Sequence, residues 1–257
     1  MVQAVDVTSF VTGSDASSKA FKTATLLKTL NVNALIMGDV GVGKKSLAKF
    51  ILPDASVIDA LNFQELLLVL QSSTEIIITN IEKSPNIKTL LQTIIEKKIR
   101  VIATSKQILN DETIDEIFSV KFHLLPLSQR VEDVKLLIKR FSLEAMSLFG
   151  YEDKFIMDAT DVDINENSHS LRRQVMRNYL LQNIKDADLM DIIQNYITPK
   201  LGSNNDYKKF LYIYEAPLIR AGLKKFKSQL QLADKLGLNR NTLRKKIADN
   251  KQYLQGE

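Results

Sequence analysis

The chain of 257 residues has no cysteine and no tryptophan, and it has only two histidines, His123 and His169. The missing cysteines exclude disulfides, thiolate metal sites and a cysteine nucleophile. A metal site or proton relay built on histidine needs more of these residues than the chain provides. We therefore predict no metal ligands and no catalytic residues.

Long apolar runs are also missing. No window approaches the ~18 uninterrupted apolar residues that a membrane span requires, and the N-terminus lacks the basic and apolar segments of a secretory signal. The composition, 45% apolar and 25% charged, is typical of soluble globular proteins. We expect a folded, cytoplasmic protein without membrane contacts, large enough for one large domain or two to three small ones.

Positive charge is concentrated at the end of the chain. Residues 206–257 contain 12 Lys and Arg against 5 Asp and Glu, whereas residues 1–205 contain 23 against 25. The whole excess of the formal net charge, +5, therefore lies in the last fifth of the sequence. A compact basic module on a near-neutral body is typical of nucleic-acid binding. The alternative is a solvated helical face without a nucleic-acid partner.

The first half alternates short apolar runs with helical patterns, and from residue 131 the pattern is helical throughout. The predicted strands are 34–37, 57–58, 75–79 and 99–104, with helices at 44–51, 63–70 and 87–96 between them. The later predicted helices are 131–149, 171–184 and 189–197. Strands separated by helices of about ten residues indicate an α/β fold with a parallel sheet.

A segment with the composition of a linker, residues 198–206, contains a Pro, a Gly, a Ser and two Asn. We therefore predict three parts: an α/β domain over residues 1–140, a helical part over 141–200 and an all-α domain over 206–257.

A glycine-rich turn follows the first predicted strand. Residues 38–44, GDVGVGK, fit the pattern G-x-x-x-x-G-K and open a predicted helix. Glycines let the backbone wrap phosphates, the helix N-terminus offers free N–H groups, and the lysine adds a charge. Position 45 is Lys where Mg²⁺ binding calls for Ser or Thr. The predicted nucleotide-binding residues here are Gly38, Gly41, Gly43, Lys44, Lys45 and Ser46. The alternative is a retained turn that binds nothing.

Nucleotide hydrolysis needs acidic side chains that hold the metal and position water. The strand at 75–79 ends instead in Thr79 and Asn80, and Glu82, two residues later, is expected to face solvent. No arginine lies between Val101 and Gln129 to act as an arginine finger. We therefore expect ATP or ADP to be bound without turnover, and we predict that the chain is not an enzyme. An ATPase that recruits Glu82 stays open as the alternative.

The sequence of the basic C-terminal part predicts three helices. They are predicted at 214–223 with Pro217 in the first turn, at 228–235 with Leu230, Leu232 (or Ala233) and Leu236 inward, and at 240–248 after the N-cap Asn239. Two short helices joined by a glycine turn, the second of them basic, form a helix-turn-helix.

The last of these helices is the predicted recognition helix. Leu243 and Ile247 are four residues apart and should pack inward, which exposes the basic face. Residues at the start of such a helix reach base edges, so Arg240 is expected to contact a base and Lys245 and Lys246 the phosphates. The predicted DNA-binding residues are Asn239, Arg240, Asn241, Thr242, Arg244, Lys245 and Lys246. The alternatives are a basic surface helix in an ordinary bundle and a tail that binds an acidic protein.

Two resemblances become specific at this point. Residues 236–246, LGLNRNTLRKK, preceded by EAPLI at 215–219, resemble Fis-type helix-turn-helix domains. Such domains usually dimerise and bend or bridge DNA. The resemblance implies double-stranded DNA as a partner, a homodimer formed through the C-terminal domain and a location on the nucleoid.

The body resembles the AAA+ domain of sigma-54-dependent enhancer-binding activators. The matching segments are 38–44, 99–104 and 125–134. The resemblance implies a parallel-sheet P-loop (AAA+-like) domain with a helical lid, followed by the all-α Fis-type domain. It also implies that Arg172 is a second sensor arginine that reaches the nucleotide, and it makes Lys45 less anomalous because that family typically has an acidic residue there.

The departures from this family decide the functional interpretation. The Gly-Ala-Phe-Thr-Gly-Ala loop that contacts sigma-54 has no counterpart in residues 53–73, and residues 79–80 replace an Asp-Glu pair. We therefore interpret the chain as a DNA-binding transcriptional regulator with a degenerate AAA+ domain that neither hydrolyses ATP nor contacts sigma-54. An active ATPase switch of the sigma-54 activator class is the alternative.

Overall fold

The computed structural model describes residues 10–109, 112–150, 157, 161–226 and 228–254. The chain divides into two compact units between Asn183 and Ile184. The first unit contains the α/β part and the lid, and the second contains the basic C-terminal helices.

The sheet of the first unit has five strands within the described ranges. They are β1 (Ala34–Met37), β2 (Ser56–Asp59), β3 (Glu75–Thr79), β4 (Arg100–Ser105) and β5 (Val120–His123). Every pairing is parallel and the order is β2-β3-β4-β1-β5, which confirms the predicted parallel α/β sheet. The edge strand β5 was not predicted, because its four residues are only partly buried and carry a weak apolar signal.

Helices cover both faces of the sheet. They are α1 (Asp15–Thr29), α2 (Lys44–Ile51), α3 (Phe63–Ser72), α4 (Ile87–Lys97) and α5 (Glu112–Ile117), followed by the lid helices α6 (Val131–Phe149) and α7 (Ser168–Asn183). Ile76 and Ile78 pack with α3, α4 and α5, whereas Ile77 packs with α1 and α2. Burial on both faces explains why β3 is a continuous apolar run and not an alternating one.

The lid has its own core. Phe141 of α6 packs with Leu171 and Val175 of α7, and Leu127 joins them from the short 3-10 helix Leu127–Gln129. Both lid helices agree with the sequence-predicted ones to within a few residues. Helices α1 and α5 were not predicted.

The second unit is entirely helical in its described residues. Its helices are α8 (Asp186–Ile197), α9 (Asp206–Phe210), α10 (Tyr212–Lys225), α11 (Gln229–Lys235), α12 (Arg240–Asp249) and α13 (Lys251–Leu254), with a 3-10 turn at Thr198–Lys200. Apolar residues of α8 border the same cavity as residues of α9 and α10. The boundary between the units therefore precedes α8, which the sequence analysis assigned to the lid.

Two details of the C-terminal helices differ from prediction. Pro217 lies inside α10 and not in its first turn, because the helix begins already at Tyr212. Leu230 is 64% exposed, whereas Leu232 and Ala233 are buried, so Leu230 does not contribute to the core.

Among the helices described, none is long and apolar enough to cross a membrane.

Candidate nucleotide site and candidate nucleic-acid interface

The glycine-rich loop connects β1 to α2 and requires its glycines. Gly38, Gly41 and Gly43 all have positive φ angles, of +141°, +77° and +105°. A Cβ atom on Gly41 would lie 2.3 Å from the carbonyl oxygen of Glu166, and one on Gly43 would lie 2.9 Å from the ring of Phe10. The loop is thus packed tightly from two sides in a conformation that only glycine adopts freely.

The ammonium group of Lys44 folds back onto this loop. Its Nζ donates to the carbonyl oxygens of Gly38 at 2.5 Å and Asp39 at 2.7 Å. Burial lowers the pKa of Lys44, while the nearby charges of Glu82 and Asp39 oppose that shift. A phosphate that binds here has to replace the two carbonyl contacts with its own oxygens.

A cavity of about 1240 Å³ opens beside the loop at the carboxyl edge of the sheet. Lys44, Lys45 and Ser46 border it on the loop side, and Thr79 and Asn80 border it at the end of β3. This is the edge of an open α/β sheet where ligands characteristically bind. All the predicted loop residues except Gly38 therefore border a space large enough for a polyphosphate chain.

Sequence reasoning missed the carboxylate of Asp59, which contacts the residues at the end of β3. Asp59, the last residue of β2, accepts a hydrogen bond from Asn80 Nδ2 at 2.6 Å and another from Thr79 Oγ1 at 3.2 Å. The strands β2 and β3 are sheet neighbours, so their ends meet although they are 20 residues apart in sequence. The only sequence signal was an acidic residue after the short run Val57-Ile58.

Glu82 is half-buried and does not face solvent fully, as had been expected, but it is not among the described residues that border the cavity. Its Oε1 accepts a hydrogen bond from the backbone N–H of Lys106 at 3.1 Å. Its Oε2 is buried and has no hydrogen-bond partner among the described residues. From the 3-10 turn Ile81–Lys83 the charge of Glu82 acts on Lys44, where it opposes the lowering of the lysine pKa by burial.

The lid contributes a second, smaller cavity of about 160 Å³ on the other side of the loop. Arg172 borders it, as the predicted sensor role requires, but its guanidinium is bound by Glu144. Arg172 Nη2 lies 2.5 Å and Nε 3.1 Å from the Glu144 carboxylate, and this hydrogen bonding raises the pKa of the arginine. Reaching a nucleotide requires Arg172 to leave Glu144.

A buried ion pair anchors the loop to the lid. Arg130 and Asp133 are 2% and 0% exposed and lie 3.2 Å apart. Arg130 Nη2 donates to the carbonyl oxygen of Val42 at 2.8 Å. The Asp133 carboxylate accepts from the backbone N–H groups of Gly13 at 2.7 Å and Ser14 at 2.8 Å, where α1 begins. One pair of charges thus connects the glycine-rich loop, α6 and the start of α1.

In the second unit, α11 and α12 are joined by a tight turn. Gly237 has a φ of +62°, and the backbone N–H of Leu238 donates to the carbonyl oxygen of Ala233 at 2.9 Å. The side chain of Asn239 accepts from Asn241 N at 2.9 Å, which confirms Asn239 as the N-cap of α12. Leu243 is fully buried and fixes the inner face of this helix against Ile219.

The outer face of α12 is cationic and exposed. The exposed predicted DNA contacts are Asn239, Arg240, Asn241, Thr242, Arg244 and Lys245. Lys246 differs, since it is half-buried and forms an ion pair with Glu215 of α10, which also accepts from Asn250 Nδ2 at 3.3 Å. Phosphate binding by Lys246 therefore has to compete with an internal carboxylate, whereas Lys245 forms no ion pair with any residue that the structure describes.

Comparison with known proteins defines the class. Residues 212–249 match the family model of Fis-type bacterial regulatory proteins. Residues 212–249 of the second unit therefore form a Fis-type helix-turn-helix, a motif that indicates a DNA-binding regulator. No curated protein matches the sequence.

The whole chain is similar in fold to NtrX from Brucella abortus. The structure of NtrX with ADP has a TM-score of 0.62 at 16% identity and covers 95% of this chain and 69% of NtrX. The structure with ATP has a TM-score of 0.59 at 15% identity and covers 94% and 69%. At this identity the likenesses show the fold alone, a parallel α/β domain followed by a helical domain, which is the fold that the sequence analysis expected.

Proposed function

We propose that this protein is a transcriptional regulator that reads double-stranded DNA through α12, acts as a homodimer on the nucleoid of the cytoplasm, and binds ATP or ADP without hydrolysing it. The observation that carries the proposal is the exposed cationic start of α12, mounted on a tight glycine turn. Helices of this kind place their first residues against base edges in the major groove.

The second unit also supports self-association. Large apolar side chains of the second unit lie exposed, Met190 at 71%, Tyr207 at 81% and Tyr214 at 68%. Tyr207 and Tyr214 border the same apolar cavity, and exposed apolar surface of this kind often marks a site of protein association. A twofold dimer formed there would present two recognition helices about 34 Å apart, the spacing of successive major grooves.

We expect Arg240→Ala to weaken binding to a selected DNA site by about 1–3 kcal/mol and to reduce discrimination between sites, because Arg240 is placed to contact a base. Lys245→Ala should weaken binding to all sequences alike and reduce the salt dependence by about one phosphate contact. Fluorescence anisotropy on a duplex chosen from a random library and on a scrambled duplex, at several salt concentrations, measures both effects.

Arg220→Ala is the matched control, since Arg220 is an exposed arginine on α10, outside the recognition helix. It should change neither affinity nor discrimination. Equal losses for Arg240→Ala on the selected and the scrambled duplex would contradict base recognition by α12.

Nucleotide binding by the first unit is supported by the glycine conformations, the cavity beside Lys44 and the fold shared with a protein solved with ATP and with ADP. The absence of turnover is supported by the end of β3. Thr79 and Asn80 stand at the positions where hydrolysis needs acids, and the neighbouring Asp59 is hydrogen-bonded to both of them.

The absence of sigma-54 contact is supported by the chain between the loop and β3. Residues 56–59 form β2 and residues 63–72 form α3, so the segment is used by the α/β fold itself. A regulator of this kind would act on transcription by occupying DNA.

An ATPase switch is the second candidate, and the buried, unpartnered Oε2 of Glu82 favours it. A phosphate-release assay with and without DNA separates the two functions. We expect the wild type to release no more phosphate than Lys44→Ala. Release that DNA stimulates, and that is lost in both Lys44→Ala and Glu82→Gln, would establish the ATPase instead.

A further inference from the structure

The cavity beside the glycine-rich loop is lined by an unusual number of cations. Five lysines border it: Lys28, Lys44, Lys45, Lys49 and Lys83. His169 also borders it, and Asp59 is the one carboxylate among the described residues that do so. The lining therefore carries a net positive charge of about four at neutral pH before any ligand binds.

Several of these lysines are held in position by the protein. Lys49 Nζ donates to the carbonyl oxygens of Pro53 at 3.2 Å and Ala55 at 2.9 Å. Lys28 Nζ lies 4.9 Å from the ring centroid of Phe50, which in turn contacts Phe21 with their centroids 4.5 Å apart. Ordered ammonium groups lose less conformational entropy when an anion binds than freely moving ones do.

The same lining fits Mg²⁺ poorly. Sites that bind Mg²⁺ with a nucleotide usually add one or two carboxylates and a hydroxyl to the phosphate oxygens. Here the residue after Lys44, where a hydroxyl would bind Mg²⁺, is the cation Lys45. Both carboxylate oxygens of Asp59 already accept hydrogen bonds. Asp59 Oδ2 accepts from Asn80 and Thr79, and Oδ1 accepts from the backbone N–H of Leu61 at 3.0 Å.

From these contacts we propose that the cavity binds a nucleoside polyphosphate free of divalent metal, whose phosphates are neutralised by lysines in place of Mg²⁺. The inference rests on the proposed nucleotide binding and specifies the form of the ligand. A metal-free triphosphate carries more negative charge than its magnesium complex, so the cationic lining attracts it more strongly. The same arrangement accounts for binding without turnover, because phosphoryl transfer depends on the metal to neutralise developing charge.

The test is calorimetric titration of the full chain with ATP, once in EDTA and once in excess Mg²⁺. We expect binding in EDTA to be as tight as binding in Mg²⁺, or tighter. Tightening by about tenfold or more on adding Mg²⁺, which is about 1.4 kcal/mol, would overturn the inference and leave the proposed nucleotide binding intact. Failure to bind in either buffer would overturn both the inference and the nucleotide part of the proposed function.

A charge-reversal variant provides the second readout. Lys45 is exposed, so Lys45→Glu should fold normally. We expect it to weaken binding in EDTA and to make binding depend on Mg²⁺. The matched control is Lys22→Glu, an exposed lysine of α1 outside the cavity lining, which should leave both titrations unchanged. Equal effects of the two variants would show that the net charge of the protein, and not the position of Lys45, determines the affinity. That result would contradict the assignment of Lys45 to the binding site.

Inorganic tripolyphosphate in EDTA separates a nucleotide from a bare phosphate chain. Tripolyphosphate has three phosphates, as ATP has, but it lacks a nucleoside that could enter the smaller cavity bordered by the lid. Tighter binding of ATP than of tripolyphosphate supports a nucleoside polyphosphate as the ligand, and the reverse order overturns it.

Discussion

Replacing Asp133 with alanine is expected to lower the free energy of unfolding of the first unit by about 3–5 kcal/mol, because it leaves the buried charge of Arg130 without its partner. The carboxylate also accepts hydrogen bonds from Gly13 N, Ser14 N and the hydroxyl of Ser17 at 2.9 Å. Ser14 and Ser17 are buried, so bulk water cannot simply replace the carboxylate as the acceptor for their donors.

Urea unfolding followed by circular dichroism measures the loss, and hydrogen exchange locates it. Peptides from the start of α1 and from residues 38–46 should lose protection first, since Asp133 holds the former directly and the latter through Arg130. Glu132→Ala is the control because Glu132 is the exposed neighbour on the same helix, and it should cost less than about 0.5 kcal/mol. Similar losses for the two variants would show that the ion pair does not stabilise this junction.

The second large effect is expected for Leu243→Ala. Leu243 is 0% exposed and packs with Ile219, Leu232 and Ala233 in the small core of the second unit. Truncating a fully buried leucine costs about 2–5 kcal/mol, through lost burial and the cavity left behind. A domain with so small a core has a low free energy of unfolding, so a loss of this size is a large part of it. We therefore expect the helix-turn-helix to unfold and DNA binding to be lost.

Leu230→Ala makes the matching control, since Leu230 is 64% exposed on α11 and the chemical change is the same. It should leave DNA affinity unchanged. Hydrogen exchange over residues 212–249 in the full chain shows whether the domain, and not only DNA contact, is lost in Leu243→Ala. Retention of both protection and DNA affinity in that variant would contradict the assigned core.

The local features of both candidate sites could be predicted from sequence. The glycine-rich loop follows from spacing alone, because a positive φ and a close backbone approach demand glycine at Gly41 and Gly43. The N-cap Asn239 and the inward Leu243 follow from turn chemistry and from helical periodicity over a few residues. The strands β1, β3 and β4 were visible because burial on both faces makes them continuous apolar runs.

The contacts in the candidate sites that sequence reasoning missed involve partners far apart in the chain. Asp59 reaches the end of β3 only because β2 and β3 are neighbours in the sheet. Glu82 turns inward through a short 3-10 turn, and Lys246 is paired with Glu215 from another helix. Leu230 has the right spacing for a core residue, yet the three-helix packing leaves it exposed.

The amino-acid sequence by itself determined a phosphate-loop α/β body and a cationic helix-turn-helix, since both are specified by glycine positions, apolar periodicity and caps that act within about ten residues. Only the tertiary structure decided which charges meet. Within the part of the chain that the structure describes, it placed five lysines and a single carboxylate around one cavity, and it buried Arg130 against Asp133. Electrostatic interactions depend on distance and burial, and in this fold both are set by strand order and helix packing between segments that are remote in sequence.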